Sequence, residues 1–256
     1  MNSIKFLGTA GARFVVMKQL RASGGIWFNL DNTNILIDPG PGSLIRCLSS
    51  KPKLNPMDLD GIILTHRHID HSNDINIMIE AMTNGGFKKK GIIFVPTDAL
   101  DEDPVIFKYV RRHVDKIEKI KEKKRYKIGN ISFSTPIKHI HGVESYGLNI
   151  YGKDISISLI TDTKYFENLE SFYKGDILII NVVLSKGSQL IQHLSLEDVE
   201  KIISINKPKL SILTHFGMTI LKAKPWEVAE RLTKNLGVKV IAARDGIRID
   251  LDQYKN

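Results

Sequence analysis

The chain has 256 residues, 42% of them hydrophobic, with 37 Lys and Arg against 28 Asp and Glu for a net charge of +9. That length and apolar content suffice for the core of one layered domain spanning 1–256, while the single cysteine, Cys47, rules out a disulfide framework within the chain. No apolar stretch is long enough to span a membrane and no leader pattern opens the chain, so a cytoplasmic protein is the default expectation. The cationic excess favours an anionic partner, or equally a Lys-rich surface network of the kind found in proteins from hot environments.

In chain order, Ile4–Leu7 reads as a strand and Gly8-Thr9-Ala10-Gly11 as a turn, followed by a loop from Arg13 to Ser23 expected to cross the mouth of a site. Ile26–Leu30 and Asn34–Asp38 flank the turn-forming Asp31-Asn32-Thr33, which predicts a hairpin. Asp38-Pro39-Gly40-Pro41-Gly42 then breaks the strand, and Leu44–Leu48 reads as an amphipathic helix that buries Cys47 as an inert thiol.

The apolar run Gly61–Leu64 leads into Thr65-His66-Arg67-His68-Ile69-Asp70-His71. Three imidazoles and a carboxylate fall within six residues, and an extended backbone at a strand end points His66, His68 and Asp70 to one side. Imidazole with carboxylate suits zinc, iron, nickel or manganese, and no cysteine cluster offers a thiolate site.

Beyond it, Ile75–Met82 has helical spacing and ends at Asn84-Gly85-Gly86, and Ile92–Val95 is a strand. From Val105 to Ile120, apolar residues Ile106, Val110, Val114, Ile117 and Ile120 recur every three or four positions among Arg and Lys. That spacing predicts a basic amphipathic helix with an Asp115–Lys119 pair on its solvated face, inside a basic helical insertion at about 84–127.

The second half alternates strands (Ile131–Thr135, Tyr146–Tyr151, Ile155–Thr161, Ile177–Val183, Leu210–Leu213) with helices at Leu196–Asn206 and Pro225–Leu236. Ser195 with Asp198 has N-cap spacing, and Pro225 suits a helix start. Two blocks of strands, each with its own helices, imply an α/β fold of two sheets face to face with helices outside, a four-layer αββα sandwich.

His-x-His-x-Asp-His after an apolar strand resembles the signature of the metallo-β-lactamase superfamily. The later His141 in His-Gly-Val-Glu-Ser-Tyr-Gly, Asp162 in Leu-Ile-Thr-Asp-Thr and His215 in Ile-Leu-Thr-His-Phe-Gly come in that family's order. The opening Phe6-Leu7-Gly8-Thr9-Ala10-Gly11, the segment Gln192-His193-Leu194-Ser195 and Ala243-Arg244-Asp245-Gly246 look like the ribonuclease Z and cyclic phosphodiesterase branch. The resemblance implies that His66, His68 and His141 hold one metal, that Asp70, His71 and His215 hold a second, and that Asp162 bridges them. His139 competes with His141 for the ligand role.

It further implies two divalent ions, zinc first with manganese or iron as substitutes, a bridging hydroxide as nucleophile with Asp70 orienting the water, and His193 assisting the leaving oxygen. Asp38 would order the histidine loop. The expected substrate is an anionic small molecule or a nucleotide or RNA end, cleaved at a phosphodiester, with a thioester or lactone as the alternative. A homodimer is common among relatives. The chain departs from ribonuclease Z in lacking a long Gly/Pro-rich tRNA-clamping arm between His141 and Asp162, and lacks the zinc-binding cysteines of some phosphonate-pathway relatives.

Overall fold

Short apolar runs bounded by Gly, Asn, Asp or Pro become strands, and in the computed structural model, which describes residues 2–255, they pair into two mixed seven-stranded sheets. The first sheet takes β1 (Ser3–Phe6), β2 (Ile26–Leu30), β3 (Thr33–Ile37), β4 (Gly61–Ile63), β5 (Ile92–Val95) and β6 (Lys116–Lys119) side by side. The second takes β7 (Lys124–Ile128), β8 (Ile131–Thr135), β9 (Leu148–Tyr151), β10 (Ser156–Ile160), β11 (Ile177–Asn181), β12 (Leu210–Thr214) and β13 (Val240–Ala242). The last strand, β14 (Arg248–Asp250), returns to the first sheet outside β1.

Each sheet is antiparallel on one side and parallel on the other. β1 to β3 pair antiparallel and β3 to β6 parallel, while β7 to β10 pair antiparallel and β10 to β13 parallel. Between the sheets lies a core of Ile4, Phe6, Ile35, Ile63 and Phe94 against Phe133, Leu148, Ile157, Ile179 and Ile212. Phe94 and Phe133 meet edge to face across it at 4.9 Å.

Helices cover the outer faces. On the first sheet these are α2 (Ser43–Ser49) and α4 (Ile75–Met82), with Ile75, Met78, Ile79 and Met82 packed under Leu36, Ile62 and Ile93, while the short helices α1 (Ala12–Met17) and α3 (Ile69–Ser72) lie against each other. On the second, α5 (Leu196–Asn206), α6 (Met218–Lys222) and α7 (Pro225–Leu236) pack Val199, Ile203, Ile220, Val228 and Leu232 against Leu178, Ile180 and Leu213. The layers are therefore helix, sheet, sheet, helix, as expected. No helix among the described residues is long and apolar enough to cross a membrane.

The sequence expectations hold for the hairpin β2–β3, for α4 and α5, and for the proline start of α7. Ser195 and Asp198 form a full capping box. Cys47 is buried in α2, and burial together with the nearby Asp74 carboxylate pushes its thiol up to about 12.

The basic amphipathic helix over Val105–Ile120 does not form, and among the described residues 84–127 contain no α-helix. A 3-10 turn at Val110–His113 and the parallel edge strand β6 replace it. Tertiary partners take the backbone groups a helix would have used. Asn76 on α4 brackets the start of the stretch by donating to Val105 O at 2.8 Å and accepting from Phe107 N–H at 2.9 Å, and Asp115 N–H donates to Gly91 O at 3.0 Å. Ile106, Val110 and Val114 still bury their side chains, against the helical layer, so a spacing of three and four is met by a turn and a strand. The Asp115–Lys119 pair is absent, since Lys119 reaches Asp101 at 3.6 Å instead. The expected loop from Arg13 to Ser23 also contains α1.

Candidate metal centre

The chemistry-bearing residues sit where parallel strands end. Asp38 follows β3, His66, His68, Asp70 and His71 follow β4, Asp162 follows β10, Asn181 closes β11 and His215 follows β12. In α/β sheets the carboxyl ends of parallel strands open the crevice where ligands bind. His141 arrives from the β8–β9 connection, which Tyr146 N–H ties to Thr65 O at 3.2 Å across the two sheets.

Local backbone is constrained here. Asp38 (φ 52°) and His215 (φ 57°) occupy the left-handed region, a conformation that Asp and His tolerate better than most residues and that costs about 1–3 kcal/mol. Gly40 passes so close to the Asp70 carbonyl that a Cβ would stand 2.0 Å from its oxygen. Gly40→Ala is accordingly expected to displace Asp70, cost about 1–3 kcal/mol of stability and lower metal content, readable as a thermal melt beside metal analysis.

One carboxylate oxygen is the hub. Asp162 Oδ2 lies 3.3 Å from His215 Nε2, 3.4 Å from His71 Nε2, 3.7 Å from His66 Nε2, 3.7 Å from His193 Nδ1 and 4.0 Å from His141 Nε2. His68 Nδ1 and His141 Nε2 are 3.0 Å apart, and Asp70 Oδ2 is 3.7 Å from both His71 Nε2 and His215 Nε2. Neighbouring ligands of a tetrahedral ion with bonds near 2.05 Å stand roughly 3.3 Å apart, so these spacings suit cations between the groups. Four groups among the described residues stand at ligand spacing, two of them the triads His66–His68–His141 and Asp70–His71–His215, and another joining His141 and Asp162 to His193.

Hydrogen bonds on the far side of the rings aim their free nitrogens inward. Asp38 accepts from Thr65 N–H (2.7 Å), from Thr65 Oγ1–H (2.7 Å) and from His71 Nδ1–H (2.9 Å). With its proton given to Asp38, Thr65 Oγ1 can accept from His66 Nδ1–H at 3.1 Å, and His141 Nδ1–H donates to Gln192 O at 3.1 Å. This leaves the Nε2 lone pairs of His66, His71 and His141 facing the centre. Those of His66 and His71 are buried and have no hydrogen-bond partner, a cost that a bound cation would remove. Asp38, His66 and His71 also lie at ligand spacing, but Asp38 is already committed to Thr65 and His71, so it orients rather than ligates. Asp38→Ala is expected to weaken metal binding about 10–100-fold, measurable by chelator competition.

Electrostatics follow the same geometry. Burial would raise the Asp162 carboxyl, yet the imidazoles of His215, His193 and His71 hold it well below the usual range. Burial and the neighbouring His71 hold His66 well below the ordinary imidazole value. Burial also lowers His141, to about 4, against the pull of Asp162. His71 goes the other way: burial opposes its charge, but Asp70, Asp162 and Asp38 together raise it well above the ordinary value. His193 is lowered by burial, with Asp162 opposing.

His141, not His139, faces the cluster. His139 is buried behind it, with Nε2 2.6 Å from Tyr173 Oη and Nδ1 3.3 Å from Thr161 Oγ1, and burial lowers its pKa to about 3. One residue escaped sequence reasoning: Asn181 Nδ2–H donates to Asp162 Oδ1 at 2.8 Å and orients that carboxylate. Its signal was a polar residue closing the wholly apolar run Ile177–Ile180.

Two face-to-face mixed sheets with helices outside, and His and Asp gathered at the strand ends of both, define the metallo-β-lactamase fold, whose family is hydrolytic and metal-dependent. The β-lactamase superfamily domain matches residues 33–216, and the chain belongs to that superfamily. The uncharacterized protein MJ1374 of Methanocaldococcus jannaschii is 31% identical across 97% of this chain and 94% of its own length. Among solved structures, the metallo-β-lactamase-fold protein YhfI from Bacillus subtilis superimposes with a TM-score of 0.80 at 19% identity, covering 97% of this chain and 98% of YhfI. A diphosphatase from the PhnP family superimposes with a TM-score of 0.72 at 19% identity, covering 98% of each chain.

Proposed function

We propose that the protein is a binuclear metal-dependent hydrolase that cleaves a phosphodiester, of nucleic-acid-derived or cyclic type, with zinc as the first choice of ion and manganese or iron able to replace it. The observation that carries this reading is the shared oxygen: Asp162 Oδ2 faces both ligand triads, with His193 3.7 Å from it. In this reading His66, His68 and His141 would hold one ion and Asp70, His71 and His215 the other, with Asp162 available to both. The two ions, when bound, bring water towards ionisation at neutral pH and neutralise charge that builds on the reacting phosphoryl oxygens.

The chain's own residues would do the rest. Asp70 lies 3.7 Å from His71 and His215, placed to accept a proton from the attacking water and hold it in line. His193, half-buried beside Asp162, would contact the phosphoryl group and donate to the departing oxygen. Asp38, Thr65 and Asn181 keep the ligands in one orientation. A phosphoryl substrate is favoured over a carbonyl one because His193 adds a proton donor beside the ligands, and because a neighbour of the same fold is a diphosphatase.

The test is hydrolysis of bis(p-nitrophenyl) phosphate by metal-quantified protein, beside p-nitrophenyl phosphate, a nucleoside diphosphate ester, a thioester and a lactone. Diester turnover that follows metal content is the expected result. Turnover of the carbonyl substrates with both diester and diphosphate untouched would replace the proposal by a thioesterase or lactonase.

A further inference from the structure

The turn after β5 and the loop that carries His141 are laced together by hydrogen bonds that no step above uses. Glu144, three residues past His141, accepts on Oε2 from the N–H groups of Thr97 (2.8 Å) and Asp98 (3.3 Å). Asp98 Oδ2 in return accepts from Glu144 N–H at 3.0 Å. Tyr146 Oη–H donates to Glu144 Oε1 at 2.7 Å. From the other side Arg67, between His66 and His68, donates to Asp98 O at 3.1 Å and to Asp103 Oδ2 at 2.9 Å. The 3-10 turn Thr97–Ala99 of the first sheet therefore grips the His66–His68 segment through Arg67 and the His141 loop of the second sheet through Glu144.

We propose that Glu144 and Asp98 are positioning residues, a reciprocal bracket that sets His141 against His66 and His68 and so preorganises one of the two metal positions. The inference rests on the reading that these three histidines hold a cation. Those histidines come from different sheets, so their relative placement depends on whatever ties the two loops. Ordinary loop packing would not need two carboxylates facing each other's backbone. The arrangement also leaves Asp98 Oδ1 buried without a hydrogen-bond partner, a cost that an apolar contact at the same place would avoid. Asp70 and His71 are held through the close approach of Gly40 and through Asp38, and His215 sits against Gly11, so loss of the bracket should fall on one position alone.

The test is zinc competition against a chromophoric chelator, with thermal melts, on the full chain as wild type, Glu144→Ala, Glu144→Gln and Asp98→Ala. Glu144→Ala is expected to weaken one zinc equivalent about 10–100-fold and leave the other as in wild type. Glu144→Gln should recover most of the loss, since its amide oxygen can accept from Thr97 N–H while its amide N–H donates to Tyr146 Oη. Asp98→Ala, altered on the opposite sheet, should repeat the selective loss and carries the test alone if Glu144→Ala does not fold. Two unchanged equivalents in both alanine variants would overturn the bracket, as would parallel weakening of both equivalents with a lowered melting temperature. A wild-type chain that takes up no zinc would instead sink the metal reading and the bracket with it.

Discussion

Asp162→Ala is expected to release both metal ions and reduce hydrolysis to background. Its Oδ2 lies within 3.3–4.0 Å of imidazole nitrogens from both triads, and no neighbouring carboxylate can replace it: Asp38 is bound to Thr65 and His71, and Asp70 already belongs to one triad. Removing it also leaves the buried imidazoles of His66 and His71 without the anion they face at 3.7 and 3.4 Å, and strips Asn181 of the acceptor it holds at 2.8 Å. Cations cannot then be held close together without a shared anion. Metal content by elemental analysis, measured beside diester turnover, checks this. Retention of two equivalents in the variant would show that Asp162 is not the bridge. Asp162→Asn separates charge from shape, because the amide oxygen can still accept from Asn181 while the anion is gone; it should lose metal nearly as fully as the alanine variant.

His193→Ala should behave in the opposite way, keeping both ions and losing about 10²–10⁴-fold in kcat, the usual worth of a positioned proton donor. The residue stands at ligand spacing with His141 and Asp162, but the reading above gives neither ion to it, and it stands on a well-held loop. Val183 and Leu184 donate to Leu194 O at 3.3 and 3.2 Å, and the Ser195–Asp198 capping box starts α5 directly after it. Truncation therefore removes an imidazole without loosening the backbone that carries it. Metal analysis and steady-state kinetics on the best diester decide the matter, and a substrate with a low-pKa leaving group should be the least affected. Full activity on a poor leaving group at normal metal content would remove His193 from the mechanism.

Much of this site was legible from residues alone. His66, His68, Asp70 and His71 are adjacent in sequence, and a strand end needs only local backbone geometry to gather them. Asp162 and His215 were singled out by the family resemblance, and pattern added only that each follows a run of strand-forming residues. Less visible were the contacts that aim these groups. The resemblance already favoured His141 over His139, but the reason His139 stays out of the cluster, its contacts with Tyr173 and Thr161, was not readable, and Asn181 reaches Asp162 only because β11 lies beside β10. Glu144 and Asp98 are 46 residues apart in the chain, and nothing in either neighbourhood announces that they meet.

The stretch Val105–Ile120 shows the limit most clearly. Its apolar spacing is helical, and isolated it would offer a helix its own backbone partners; in the folded chain Asn76, the Gly91 carbonyl and the open edge of β5 compete for those groups and win. Local order in the sequence determined the strands, the capped helices, the layered fold class and the types of residue available to bind a cation, because each depends on neighbours a few positions away. Tertiary structure alone decided which nitrogen each imidazole presents, which carboxylate lies among the imidazoles and which is taken up by hydrogen bonds behind them, and how two loops from different sheets are held in register, because those depend on partners that only the packing of one sheet on the other brings within hydrogen-bond distance.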